Sequence, residues 1–151
     1  MAGSKRESVE FEYMEFPLNA GRKVSRPVAR LTFEHEGKRR PFYCLIDSGA
    51  DESASFVEIG EALGINFKDC PKSFVTGLGG EDIPVYKHVI AVEVAGRRVP
   101  IDVSWQGRKL DPNRDFPFVI GRLSFFDSFD VEFRQQEKKF YIRPARARRE
   151  I

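Results

Sequence analysis

The stretch that decides the fold is Leu45–Asp51, "LIDSGAD". Asp47 interrupts the apolar run that ends "RPFYCLI" at 40–46, which is typical of a buried strand. A carboxylate in such a place costs free energy unless neighbouring groups satisfy it or a reaction uses it. In the simplest interpretation Asp47 is a turn residue whose oxygens accept backbone N–H bonds, as is common for Asp-Ser-Gly. A chemical role for Asp47 therefore needs support from other parts of the sequence.

The composition is that of one globular domain. The chain has 151 residues, of which 41% are apolar and 32% charged, and its net charge of +2 does not indicate a polyanionic partner. The basic end Arg143–Ile151 is interpreted as a solvated tail, so no nucleic acid is expected as a partner. The polar start shows no signal peptide and no apolar run approaches a membrane span, so we expect a cytoplasmic protein without membrane contact.

Alternation of apolar and polar residues with period two dominates the chain, and it predicts an all-β fold. In the N-terminal segment, for example, Val9, Phe11 and Tyr13 share one face of a strand. Three hairpins are predicted further along. Their strands and turns are 26–36 and 39–47 around "EGK", 90–95 and 99–105 around Gly96, and a pair that turns near Gln136–Lys138.

Two short helices are predicted between the strands. Ser55 and Glu58 form a capping-box pattern in front of the first helix, and Gly64 is placed to end it. The second helix is predicted over 122–129, "RLSFFDSF", where two phenylalanines are one turn apart. The polar segment 105–115 is predicted to be a surface connection.

A calcium loop is one alternative for the acids that follow the strand. Asp47, Asp51 and Glu58 would occupy its first, fifth and twelfth positions. An EF-hand loop needs glycine at the sixth position and an oxygen ligand at the third, where this chain has Glu52 and Gly49. The two cysteines lie outside any zinc-binding pattern. We therefore expect no metal.

Other chemistries have weaker support. The segment 76–82, "TGLGGED", lacks the third glycine of a dinucleotide loop and the Gly-Lys of a phosphate loop, so it is predicted to be a hairpin tip or a mobile lid. His35 and His88 are interpreted as surface or packing residues. Cys44 is interpreted as a buried hydrophobe without a histidine partner, and Cys70 as a loop residue. No Ser/His/Asp site and no cofactor is expected.

Three short motifs occur in the order found in one enzyme family. "LIDSGAD" resembles the active-site signature of the aspartic proteases, and Asp51 makes it similar to the retroviral type, the retropepsins. "TGLGG" at 76–80 is similar to the flap tip of that family, and "FVIGR" at 118–122 to the element before its C-terminal helix. The continuation from 125 is more similar to prokaryotic, single-domain retropepsin-like proteins. The resemblance implies an all-β, closed acid-protease barrel with one or two short helices, assembled as a two-fold dimer.

The same resemblance assigns a role to each motif residue. Asp47 would be the catalytic acid. Asp51 and Arg122 would form a partly buried ion pair, which suits a bidentate guanidinium. The substrate-binding and supporting residues would be Ser48, Gly49, Ala50, Asp51, Glu52 and Arg122, and the flap would consist of Thr76, Gly77, Leu78, Gly79 and Gly80.

The chain contains one Asp-Ser-Gly, since "FDSFD" at 126–130 lacks the glycine. The resemblance therefore implies a homodimeric aspartic endopeptidase that acts on peptides or proteins without a cofactor, with one Asp47 from each copy. The alternative is a catalytically silent dimerisation or peptide-binding module of the same fold. The predicted organisation is an N-terminal arm at 1–23, a protease domain at 24–143 and a basic tail at 144–151.

Overall fold

The computed structural model describes residues 7–146 of the chain. Strands dominate it, with two short α-helices and 3-10 turns at Asn19–Gly21 and Phe67–Asp69. The strands and helices, in chain order, are β1 (Val9–Glu12), β2 (Met14–Pro17), β3 (Lys23–Arg26), β4 (Val28–His35), β5 (Lys38–Ile46), β6 (Ser53–Phe56), α1 (Val57–Ala62), β7 (Lys72–Thr76), β8 (Asp82–Val94), β9 (Arg97–Gln106), β10 (Phe118–Ile120), α2 (Phe125–Ser128), β11 (Phe129–Arg134) and β12 (Lys139–Pro144).

Six of these strands close into a barrel. Hydrogen bonding runs in the order β4-β5-β10-β6-β9-β8, and β8 pairs back onto β4 with Phe33 opposite Val92. Most neighbours are antiparallel, but β10 runs parallel to β5, and β6 runs parallel to β9. The beginning of β8 pairs with β7 before it reaches the residues that meet β4. The prediction of an all-β fold with a closed barrel and short helices is confirmed.

The tight turns depend on residues that adopt positive φ. Between β4 and β5, Glu36 has a φ of 47° and Gly37 one of 82°, and between β8 and β9 the values are 53° for Ala95 and 72° for Gly96. Two consecutive left-handed residues are typical of the type I′ turn, whose twist matches that of antiparallel strands. Lys138, with a φ of 55°, precedes β12 in the third hairpin. All three predicted hairpins are confirmed.

Aromatic rings on the inward faces of the strands form the core. Phe33 and Phe118 stack with their centroids 3.9 Å apart, and neither has exposed surface. Trp105 meets Phe118 edge-on at 5.8 Å, and its indole N–H donates to the carbonyl oxygen of His88 at 3.1 Å. Such pairs add directional attraction to the burial of apolar area. Because Trp105 is buried in β9, the prediction of a surface connection over 105–115 is wrong at its start.

The first helix does not begin with the predicted capping box. α1 starts after Phe56, whose side chain forms no cap. Ser55 is buried in β6 and its hydroxyl donates to the carbonyl oxygen of Pro117 at 2.7 Å. The Glu58 carboxylate accepts a hydrogen bond from the backbone N–H of Leu110. The prediction is wrong because partners from distant segments take both side chains away from the helix start.

Both helices are short. Gly64, with a φ of 80°, follows the C-cap residue Leu63 and ends α1 as predicted. α2 covers only four residues of the predicted 122–129. Ser124 before it has a φ of 68°, outside the helical region, and Phe129 already belongs to β11, where its ring lies 4.8 Å from that of Phe125. Within residues 7–146, no helix has the length and apolar content needed to cross a membrane.

A second sheet brings the two ends of the described chain together. β12 lies in its centre, between β1 and β11. The Phe11 side chain of β1 stacks on Phe140 of β12 at 5.0 Å and so attaches this sheet to the core. β2 and β3 form a separate two-stranded ribbon. The division into arm, domain and tail stays a prediction, and residues 1–6 and 147–151 lie outside the described part of the chain.

We expect Phe33→Ala to lower the free energy of unfolding by about 3–5 kcal/mol, because it leaves a cavity beside the stacked ring of Phe118. The matched control is Phe74→Ala on β7, where 60% of the side chain is exposed, and we expect a change within about 0.5 kcal/mol. Urea denaturation followed by tryptophan fluorescence measures both. Equal losses in the two variants would contradict the assignment of Phe33 to the core.

Candidate active site

The loop from Asp47 to Glu52 connects two strands that are not neighbours in the barrel. β10 lies between β5 and β6, parallel to the former and antiparallel to the latter. Ile46 is therefore paired with Ile120, and the next backbone N–H, that of Asp47, donates to the carbonyl oxygen of Ile120 at 2.9 Å. Asp47 is the first residue beyond the paired strand, and the barrel wall determines where it lies.

The backbone after Asp47 turns back on the Asp47 side chain. The N–H of Gly49 donates to Oδ1 of Asp47 at 2.9 Å, and the N–H of Ala50 donates to the Asp47 carbonyl oxygen at 3.2 Å. These bonds are those of the turn-residue interpretation. They hold the half-buried carboxylate in one orientation, and within residues 7–146 its second oxygen receives no hydrogen bond.

Asp51 and Arg122 are in contact, as expected from the sequence. The guanidinium of Arg122 donates to Oδ1 of Asp51. The expectation of a partly buried pair is wrong for the single chain, because 77% of the Asp51 side chain and 56% of that of Arg122 are exposed. An exposed pair of this kind stabilises a fold by at most about 1 kcal/mol.

The loop is also held by hydrogen bonds from the backbone of Gly121 and Arg122, which do not depend on the exposed ion pair. The N–H of Arg122 donates to the carbonyl oxygen of Ala50 at 2.9 Å. The N–H of the buried Gly121 donates to Oγ of Ser53 at 3.1 Å. A Cβ on Gly121 would overlap the carbonyl oxygen of Glu52 and lie 2.9 Å from that of Ala50. In the sequence, Gly121 is part of the motif "FVIGR" but has no predicted role, and no motif marks Ser53.

Glu52 forms an ion pair with Lys87. Nζ of Lys87 lies 2.9 Å from Oε2 of Glu52, and the hydroxyl of Ser104 donates to the same oxygen at 3.2 Å. The hydrogen bond from Lys87 is the main reason that the pKa of Glu52 is lowered. Lys87 is on β8 and Ser104 on β9, so no local pattern connects either residue with Glu52.

The three acids of the loop therefore differ in charge environment. Asp51 contacts Arg122 and Glu52 contacts Lys87, whereas no Lys or Arg among residues 7–146 forms an ion pair with Asp47. Asp47 is the carboxylate of the loop whose negative charge has no cation partner within the described chain.

Two open clefts border the loop. Asp47 and Ser48 line a cleft of about 350 Å³ together with Tyr13, which lies between β1 and β2, and Phe133 of β11. A separate cleft of about 670 Å³ is lined by Asp51, Glu52, Arg122 and Leu123. The structure thus brings the predicted loop residues and Arg122 together, with Asp47 on one side and the neutralised acids on the other.

The predicted flap is a separate hairpin formed by β7 and the beginning of β8. Its tip is closed by the N–H of Gly77, which donates to the carbonyl oxygen of Glu81 at 2.8 Å. Gly80 has a φ of 80°, whereas Gly77 and Gly79 are outside the left-handed region. Leu78 is fully exposed. The residues Thr76, Gly77, Leu78, Gly79 and Gly80 line neither of these two clefts.

The described residues contain no group of three or more His, Cys, Asp or Glu side chains placed to hold a metal ion. The calcium-loop alternative fails at Glu58, whose carboxylate is directed to the backbone N–H of Leu110 rather than to Asp47.

We expect Gly121→Ala to lower the free energy of unfolding by about 1–3 kcal/mol, because backbone carbonyls on two sides leave no room for a methyl group. Gly79→Ala is the matched control, since the nearest atom there belongs to the flexible side chain of Glu81, and we expect a change within about 0.5 kcal/mol. Urea denaturation of both variants provides the measurement. A Gly121→Ala protein as stable as the Gly79→Ala protein would show that this backbone approach is not close.

No protein-family model and no curated protein matches the chain. Among solved structures, it is similar to the crystal structure of a retropepsin-like aspartic protease from Rickettsia conorii, with a TM-score of 0.56, 14% sequence identity, and 94% of this chain and 97% of that chain covered. It also matches the EIAV protease complexed with the inhibitor HBY-793, with a TM-score of 0.49, 17% identity, and 74% and 93% coverage. The similarity to the Rickettsia conorii protein, together with the closed barrel, shows that this protein has the fold of the retropepsin-like aspartic proteases.

Proposed function

We propose that the protein is an aspartic endopeptidase that acts as a two-fold homodimer, with Asp47 of each copy at the shared active site. The observation that carries this proposal is the charge environment of the loop. Asp51 and Glu52 each have a cation partner, while Asp47 is held rigidly at the end of a barrel strand, lines an open cleft and has no cation partner among the described residues.

The dimer follows from the number of carboxylates that the chemistry needs. Aspartic proteases use two carboxylates that share one proton, because two like charges at that distance cannot both ionise. One chain supplies one Asp-Ser-Gly. Asp127, in the other Asp-Ser, lies on α2 and not at a strand end. A symmetric pair of chains supplies two equivalent Asp47 residues.

In the proposed reaction, the ionised Asp47 removes a proton from a water molecule that attacks the scissile carbonyl carbon. The protonated Asp47 of the second copy donates to the carbonyl oxygen. The tetrahedral intermediate then collapses with proton transfer to the leaving amine. The hydrogen bond from the N–H of Gly49 to Oδ1 of Asp47 orients each carboxylate before substrate arrives.

The remaining loop residues would contact the substrate and the second copy. Ser48 and Gly49 are exposed, so an extended peptide would reach them first. The half-buried Ala50 would support the loop, since its N–H and its carbonyl oxygen already bond to Asp47 and Arg122. The fully exposed Leu78 would cover such a peptide when the β7–β8 hairpin closes. Phe74 and Val75 of β7 are exposed by 60% and 48%, and as consecutive strand residues they place an apolar side chain on each face of the hairpin.

A catalytically silent module that binds peptides is the second candidate. The exposed apolar side chains of the β7–β8 hairpin favour it, since they could hold an extended peptide whatever the state of Asp47. The two candidates differ in one respect that experiment can separate: only the protease converts a bound peptide into products.

We expect Asp47→Asn to reduce peptide cleavage by about a hundredfold or more, because an amide neither accepts the proton of the water nor shares one. Wild-type and variant protein are incubated with a broad peptide library at several pH values, and the products are identified by mass spectrometry. Asp102→Asn, an exposed acid on β9, is the control and should cleave like wild type. Cleavage by Asp47→Asn at the wild-type rate would overturn the proposal, and peptide binding without cleavage by wild type would favour the silent module.

We expect wild type to sediment at about twice the chain mass of 17.3 kDa, and Arg122→Ala to shift toward the monomer. The reason is that a dimer would bury the pair that the single chain exposes, and a buried acid without its partner costs about 3–5 kcal/mol. Arg98→Ala removes an arginine of equal exposure, 56%, from the start of β9, where it pairs with Glu34, and should leave the dimer intact. Monomeric wild type that still cleaves peptides would contradict the two-fold mechanism.

A further inference from the structure

A second cluster of reactive side chains lies outside the Asp47 loop. It joins Cys70, which precedes β7, to His88 on β8 and His35 at the end of β4. Sγ of Cys70 lies 3.6 Å from Nδ1 of His88, and the Nε2 atoms of His88 and His35 lie 3.1 Å apart. Nδ1 of His35 lies 3.1 Å from the carbonyl oxygen of Leu63. Residues distant in sequence therefore form one continuous series of hydrogen bonds.

The carbonyl oxygen of Leu63, at the end of this series, determines which nitrogen of each histidine carries the proton. A carbonyl oxygen only accepts, so Nδ1 of His35 carries the proton, and Nε2 of the neutral ring is an acceptor. His88 must then donate from Nε2, which leaves its Nδ1 as the acceptor that faces the thiol. The carbonyl oxygen of Asn66, at 3.6 Å, is a second acceptor for the thiol. His88 is thus held in the tautomer that can take a proton from Cys70.

The surroundings keep His88 in its accepting form. Burial, and after it the neighbouring His35, lowers the pKa of His88, whereas Glu36 acts in the opposite direction. The Glu36 carboxylate is 4.0 Å from Nε2 of His35, the atom that accepts the hydrogen bond from His88. Because the neutral ring is the form that accepts a proton, the lowered pKa extends that form toward acidic pH.

Cys70 lines a cavity of about 270 Å³ between α1 and β8. The ammonium groups of Lys68 and Lys72 outnumber the carboxylate of Glu61 in its lining, and this excess of positive charge favours an anionic ligand. The aromatic rings of Phe67 and Tyr86 favour a flat ligand.

We propose that Cys70 is a reactive thiol that undergoes thiol–disulfide exchange with small anionic disulfides, with His88 as the proton acceptor and His35 as its positioning residue. The Cys70 sulfur attacks one sulfur of the disulfide while its proton passes to Nδ1 of His88. A new S–S bond forms, the old one breaks, and the departing thiolate leaves with the electron pair. His88 then returns the proton to that thiolate or to solvent.

The reaction does not involve Asp47, and it modifies the base of the β7–β8 hairpin. The next residue, Pro71, accepts a hydrogen bond at its carbonyl oxygen from the N–H of Lys87 at 3.1 Å. Cys44 offers an internal reference, because it is fully buried and burial raises the pKa of its thiol.

The test measures thiol release from dithionitrobenzoate, an aromatic disulfide with two carboxylates, by the native full-length protein. At about pH 6 we expect one thiol per chain to react roughly tenfold or more faster than free glutathione, whose exchange requires the scarce thiolate. Cys70→Ser should abolish this reaction, leaving Cys44 to react only after unfolding. A native protein whose Cys70 reacts no faster than glutathione overturns the proposal.

His88→Gln tests whether the reactivity of Cys70 depends on the proton acceptor or only on exposure of the sulfur. Glutamine cannot take up the proton, so we expect the rate at about pH 6 to fall roughly tenfold, while at alkaline pH the two proteins converge. The substitution leaves the backbone carbonyl that binds Trp105 unchanged. Should His88→Gln fail to fold, the pH profile of wild type remains decisive, since a profile parallel to that of glutathione overturns the proposal.

A separate experiment tests the role of the positive charge in the cavity. Replacing both Lys68 and Lys72 by glutamine should slow reaction with dithionitrobenzoate but not with the neutral dithiodipyridine. Equal effects on both disulfides would overturn the preference for anionic disulfides.

Discussion

The insertion of β10 between β5 and β6 is the constraint on which the candidate site depends. It pairs Ile46 with Ile120, so the carbonyl oxygen of Ile120 is the acceptor for the N–H of Asp47. The same insertion brings Gly121 against the backbone of the loop, where no side chain fits. The backbone of the loop is thereby held by backbone groups of β10 and of the residues directly after it, and the carboxylate of Asp47 is oriented by the N–H of Gly49 rather than by a flexible side chain.

Charge then separates acids that are adjacent in the sequence. Asp51 and Glu52 meet Arg122 and Lys87, which come from the segment after β10 and from β8, while no cation of the described chain pairs with Asp47. This difference fits the proposed acid–base role, since a cation partner disfavours the protonated form that one carboxylate of a shared pair must adopt. In that proposal the second copy would supply the second carboxylate.

The hairpin of β7 and β8 carries the proposed flap at its tip and adjoins the thiol cluster at its base. Its tip carries the exposed Leu78, and its base follows Cys70, whose partner His88 lies on β8 itself. The aromatic core, by contrast, is buried around Phe33 and Trp105. The molecule thus combines a barrel that positions Asp47 with a hairpin whose exposed tip carries Leu78 and whose base adjoins the half-buried Cys70.

The sequence by itself determined the features that depend on neighbouring residues. Alternation predicts the strands, residues that tolerate positive φ at Gly37 and Gly96 predict the hairpins, and Asp-Ser-Gly after an apolar run predicts the turn at Asp47. Only the tertiary structure decided which distant groups meet. It directed Ser55 to Pro117 instead of a helix start, paired Glu52 with Lys87 and placed His88 beside Cys70. Those contacts depend on strand order around the closed barrel, which alternation along the chain does not encode.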